Sequence, residues 1–157
     1  MTQTNDTKAQ MLDFLNKIEV KCEEIFVGKL PAMPQNIKEI IVKIAPYLTI
    51  VGLLFSTLAL LTVFGTGFAL LSVTALDHTG GTYKFILNGI FIVVFAVLQI
   101  MALPGMFKLT AKSWKLLFYI SLLSIVSNLL AFNLGGVVIG GGISLYILFQ
   151  VKSLYKN

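Results

Sequence analysis

Three stretches of this chain carry no charge at all. Residues 44–76, 85–107 and 116–151 contain no Asp, Glu, Lys, Arg or His, and together they make up more than half of the 157 residues. Each is longer than the roughly 20 apolar residues that cross a hydrocarbon core about 30 Å thick. Hydrophobic residues reach 57% and charged residues only 12%, against the ~25% charged expected of a soluble domain. The pattern predicts an all-α integral membrane protein, with room for one membrane domain and a short polar appendage.

The net charge of +5 follows from topology rather than from a nucleic-acid partner, which is not expected here. All twelve basic residues are lysines, and they cluster beside the apolar stretches. The absence of arginine argues against dedicated phosphate or carboxylate recognition, where its bidentate fork is favoured. One cysteine (Cys22) and one histidine (His78) cannot build a disulfide framework or a zinc site within one chain. No catalytic residue, cofactor site or metal site is expected. Residues 1–10 are polar and lack the apolar core of a cleaved signal peptide.

Residues 85–107 suit one crossing. Residues 116–151 would run about 54 Å as one helix, too far for a single pass. Asn133-Leu134-Gly135-Gly136 supplies turn residues near the middle, so this stretch is expected to fold as two short antiparallel spans, 116–132 and 136–151. In the first stretch, Gly65-Thr66-Gly67 marks an end for a span over 44–64, with Phe68–Leu76 left as an apolar tail near the outer interface. The four expected spans are therefore 44–64, 85–103, 116–132 and 136–151, within a membrane domain of residues 35–157. With four crossings and both termini in the cytoplasm, eleven of the twelve lysines fall inside and only Lys84 outside, as the positive-inside rule requires. That arrangement implies the inner membrane. Tyr47, Trp114 and Tyr155 then fall at the inner boundary and Tyr83 at the outer one, the expected sites of an aromatic belt.

Residues 1–34 make up the cytoplasmic appendage. Met11, Leu15, Ile18, Cys22 and Ile25 recur at spacings of 4, 3, 4 and 3, which predicts an amphipathic helix over residues 9–27, with Leu12 and Phe26 flanking the stripe. Asp13, Glu19, Glu23 and Glu24 outweigh Lys17 and Lys21, so an anionic lipid surface fits this helix less well than a protein surface, a second copy included. Cys22 lies on the stripe as a small hydrophobe rather than as an acylation site. Leu30-Pro31-Ala32-Met33-Pro34 is a stiff linker. Asn36 followed by Glu39 resembles a capping box that opens the next helix, and Pro46 should bend that helix near the inner boundary.

Chemistry is sparse within the spans. None of the polar residues there is ionisable, which argues against proton- or cation-coupled transport. Ser121, Ser124 and Asn128 share one face of the third span and, with Asn88 and Gln99, would either line a polar path or hydrogen-bond between helices. Gly136, Gly140 and Ser144 recur every fourth residue on the last span, with Gly52 and Ser56 a shorter version on the first. Such small-residue faces predict close helix packing. Asp77-His78 is the one acid–imidazole pair, with no nucleophile or metal ligands beside it in sequence, and reads as a solvated loop.

Three passages carry a resemblance: Ile41–Gly52 (IVKIAPYLTIVG), Ser113–Leu123 (SWKLLFYISLL) and Leu145–Tyr155 (LYILFQVKSLY). With the Pro104-Gly105 exit of the second span, they resemble a group of small, uncharacterised bacterial four-pass membrane proteins, some of which bear a chromate-transporter label. Motifs of the FGGP type, which mark chromate transporters, do not occur here, and the spans hold no basic residue for an oxyanion. Two functions fit this sequence. One is a non-enzymatic scaffold or accessory subunit whose N-terminal helix docks on other membrane components. The other is a small transporter or channel for a neutral or weakly polar solute.

Overall fold

The computed structural model describes residues 2–74 and 81–156, and these fold into helices with no strand among them. Helix α1 (Thr2–Glu23) passes into a π-helical turn, Glu24–Lys29. Then come α2 (Gln35–Thr74), α3 (Gly81–Phe107) and α4 (Ala111–Leu130). The C-terminal helix runs from Leu134 to Gln150: one α-turn, a π-helical segment over Val137–Ile143, and a closing α segment, Ser144–Gln150. A 3₁₀ turn, Lys152–Leu154, follows. Three of these helices, α2, α3 and α4, are long and apolar enough to cross a membrane, and the C-terminal helix is a shorter apolar one. Helices of this kind fit a membrane location.

Helix α2 runs without a break through Gly65-Thr66-Gly67, where the sequence predicted an end. The physical reason is the backbone. Continuing a helix through a glycine costs only ~1 kcal/mol, less than breaking the helical hydrogen bonds on either side of it. The start of α2 also differs from expectation. It begins at Gln35, where the Pro34 carbonyl accepts from the amides of Ile37 (3.1 Å) and Lys38 (3.2 Å), so Asn36 lies inside the first turn instead of capping it. Asp77, His78 and Thr79, in the expected outer loop, lie outside the described residues.

Helix α2 packs along α3, α3 along α4, and α4 along the C-terminal helix. The core gathers at the end of the bundle where the N-terminal arm meets the C-terminal turn. It consists of Val42, Trp114, Phe118, Leu145, Leu148, Phe149, Val151 and Tyr155. Trp114 stacks on Phe118 (5.8 Å between centroids) and meets Phe149 edge-on (5.3 Å). The Trp114 indole N–H donates to the Leu148 carbonyl at 2.9 Å. Trp114 and Tyr155 are therefore packed inside the protein and do not act as boundary anchors. Tyr47 stays exposed, edge-on to Phe107 at 5.6 Å.

The turn between α3 and α4 is tight. Leu109 takes a positive φ of 52°, the Thr110 amide donates to the Gly105 carbonyl at 2.9 Å, and the Thr110 hydroxyl caps α4 by accepting from the Ser113 amide. A Cβ on Gly105 would stand 2.6 Å from Thr110 Oγ1 and 2.7 Å from Ser113 Cβ. Gly105→Ala is expected to cost about 1–3 kcal/mol through overpacking, read as a lowered melting temperature in mild detergent.

The N-terminal arm lies against its own chain along Ile18 and Cys22 of α1 and Phe26 of the π-helical turn, at spacings of four. Met11 and Ile25, expected on the stripe, are exposed. The π-turn that begins at Glu24 shifts the register at this point and brings Phe26 to the core side, where it stacks on Phe149 at 6.0 Å.

Candidate functional site

A cavity of about 350 Å³ opens between α2, α3, α4 and the C-terminal helix. That is within the size range of small-molecule pockets. Each helix contributes small or polar residues: Gly52 and Ser56 from α2, Gln99 from α3, Ser121 and Ser124 from α4, Gly140 and Ser144 from the C-terminal helix. Ile92, Phe95 and Ala96 share the Gln99 face of α3 and form an apolar wall. Among the described residues no charged side chain lines the cavity.

The hydroxyls are oriented by their own helices. Ser56 donates to the Leu53 carbonyl at 2.9 Å and Ser121 to the Leu117 carbonyl at 3.0 Å. A serine bonded this way keeps acceptor capacity for a guest. Gln99 and Ser144 have no hydrogen-bond partner among the described residues. The site thus presents a free amide and a free hydroxyl beside two serine acceptors.

Two sets of residues singled out in the sequence are sorted differently by the structure. Of the polar set, Gln99, Ser121 and Ser124 come together in the cavity, whereas Asn128 does not. The Asn128 amide donates to the Ser124 carbonyl (2.8 Å) and its Oδ1 accepts from Asn133 Nδ2 (3.2 Å), which ties the α4 end to the turn. The Asn88 side chain lies outside the described residues. Of the small residues, Gly136 does meet α4: a Cβ there would collide with Asn128 and Asn133. Gly140 and Gly52 have nothing within 4 Å of a Cβ position, so they line the cavity instead of pressing on a helix. The residue that packs in place of Gly140 is Gly141, buried against Ile125. The cause is the π-helical segment: a five-residue hydrogen-bonding step brings Gly141, not Gly140, under Gly136. An α-helical count of four could not show this.

A second cavity of about 300 Å³ shares Ile120, Ser121 and Ser144 with the first and continues toward Val151 and Tyr155. It is mostly apolar, with Thr49 donating to the Ala45 carbonyl at 2.9 Å and lying 3.7 Å from Met106 Sδ. Together the two form a cleft whose lining includes Val42, Leu148, Val151 and Tyr155 of the core cluster. Burial pushes the Tyr155 phenol pKa up, so the ring is neutral there.

Against the same cluster sits the N-terminal arm, through Ile18, Cys22 and Phe26. Lys152 Nζ lies 3.0 Å from Glu19 Oε1 and 2.7 Å from Glu23 Oε2, and 4.7 Å from the Trp114 ring centroid. Burial disfavours the Lys152 ammonium, but hydrogen bonds to Glu23 and Glu19 and their charges outweigh it, and its pKa is raised. On the alkaline side the contact is therefore lost only as pH rises past that raised value, where Lys152 gives up its proton. Gln150, buried in the charge-free stretch 116–151, donates to the Phe26 carbonyl (2.9 Å) and accepts from the Met33 amide (3.1 Å). The sequence signal for it is a lone amide in an apolar run. No family model matches the chain, and neither a curated protein nor a solved structure is similar to it.

Proposed function

We propose that this chain crosses a bacterial inner membrane four times with both termini in the cytoplasm, and that its cleft takes a small, neutral, hydrogen-bonding solute across the bilayer. The C-terminal helix supplies the fourth crossing: its 17 residues reach about 25 Å, enough for a slightly thinned bilayer. The α3–α4 turn, with Lys108, Lys112 and Lys115 around it, lies at the same end as Lys152, which sits over the Trp114 ring. The positive-inside rule makes that end cytoplasmic.

The observation that carries the solute reading is the unpartnered Gln99 amide in a cavity lined by four helices. An amide left without a partner in hydrocarbon costs several kcal/mol, so the site calls for water or a solute with its own donors and acceptors. The uncharged lining favours a neutral molecule over an ion, and the chromate label of the resembling proteins is not extended to this chain.

The test is stopped-flow light scattering on proteoliposomes exposed to gradients of urea, glycerol or acetamide. Solute entry should exceed that of empty liposomes, and Gln99→Leu should return it close to background. Wild-type rates equal to those of empty liposomes for every solute would remove the reading. An accessory role retains one observation, the exposure of Met11, Leu12 and Phe14 on the outer side of α1. A crosslinked partner lost on Phe14→Asp would favour it.

A further inference from the structure

The inner end of the cleft and the N-terminal arm are two sides of one packed cluster. Val42, Leu148, Val151 and Tyr155 belong both to the lining of the cleft and to that cluster. Ile18, Cys22 and Phe26 cover the same cluster from the arm. Lys152 and Tyr155 flank one 3₁₀ turn: the first holds the arm and the second lines the cleft. A displacement of that turn must therefore be felt at both.

The bonds that fix the arm are of two kinds. The linker is tied by neutral hydrogen bonds to the C-terminal helix: Tyr146 Oη donates to the Pro31 carbonyl at 2.8 Å, and Gln150 bonds Phe26 and Met33. The helix itself is held by the Lys152 contacts to Glu19 and Glu23, which join segments more than 120 residues apart. The lysine and both glutamates remain partly open to solvent, at 30%, 18% and 45% exposure. Competing charges reach such a contact, whereas they do not reach the apolar cluster beneath it.

We propose that α1 is a latch: the Glu19–Lys152–Glu23 contact holds the C-terminal turn, and with it Tyr155, across the inner end of the cleft, and breaking that contact opens the cleft at this end. The proposal rests on the reading of the cleft as a solute path. Wild-type protein conducts at a slow, latched rate, and release raises it.

Cys22, the chain's single cysteine, reports on the latch without any flux measurement. It is half-buried on the face of the arm that packs on the cluster, and burial raises its thiol pKa, so the docked arm keeps it unreactive. Full-length protein in proteoliposomes is treated with a maleimide. In Lys152→Met and in the double variant Glu19→Gln, Glu23→Gln, labelling of Cys22 should rise about tenfold, while Lys152→Arg should label like wild type. The charge-swapped triple variant Lys152→Glu, Glu19→Lys, Glu23→Lys should restore slow labelling, which a merely misfolded Lys152 variant would not.

Solute entry measured on the same vesicles should rise severalfold in Lys152→Met. Unchanged labelling overturns the latch, because the ion contact then does not hold the arm. Faster labelling with unchanged wild-type-level entry also overturns it, because the arm then moves without opening the cleft. No entry in wild type or variants, with faster labelling, removes the solute path and with it the gating role.

Discussion

Trp114→Ala is expected to lower stability by about 3–5 kcal/mol, enough to unfold a large share of a marginally stable protein. The residue is 3% exposed and sits where three elements meet. Its ring stacks on Phe118, meets Phe149 edge-on and lies under the Lys152 ammonium, while its N–H satisfies the Leu148 carbonyl near the end of the C-terminal helix. Alanine would leave a void against two rings and remove the hydrogen bond. Trp114→Phe should retain most of the packing and lose about 1 kcal/mol with the N–H donor. Thermal unfolding in mild detergent, followed by far-UV circular dichroism, separates the two. Equal melting of Trp114→Ala and wild type would mean that the aromatic cluster is not the core. The loss should also loosen the arm, because Phe149 is the ring on which Phe26 stacks.

The burial of Trp114 shows where sequence reasoning reaches its limit. Charge-free stretches reveal helices because nothing but an internally bonded backbone survives in hydrocarbon, and α2, α3 and α4 follow that logic. The helix also continues through the glycines at 65 and 67, whose intrinsic preference against it is only ~1 kcal/mol each. Trp114 beside Lys112 and Lys115 looks like an interfacial anchor by position, and only the fold of the C-terminal helix over it makes it a core residue. Gln99, Ser121 and Ser124 were legible as one polar group, since helical spacing places each on a definable face. Asn128 was not separable from them, because its partner Asn133 belongs to a turn whose geometry depends on the Phe132 backbone at φ 53°. The contacts of Lys152 with Glu19 and Glu23 span the whole chain, and no local pattern announces them.

The glycines of the C-terminal helix give the sharpest contrast between a count along the sequence and the fold. Gly140 and Gly141 are neighbours, yet they are expected to respond in opposite ways. At Gly141 a Cβ would collide with Ile125 Cγ1 and stand 2.9 Å from its Cδ1, on the face where the π-helical segment meets α4. Gly141→Ala should therefore cost about 1–3 kcal/mol. At Gly140 a side chain enters open space, so Gly140→Phe should melt within about 0.5 kcal/mol of wild type. Its ring would instead occupy the cavity between Gly52 and Ser124. Solute entry into proteoliposomes should then fall close to that of empty vesicles while the protein stays folded. The reverse outcome, a destabilised Gly140→Phe beside a neutral Gly141→Ala, would show that the helix keeps an α-helical register and presents Gly140 to α4. In that case the cleft closes, and the neutral-solute reading loses the wall on which it depends.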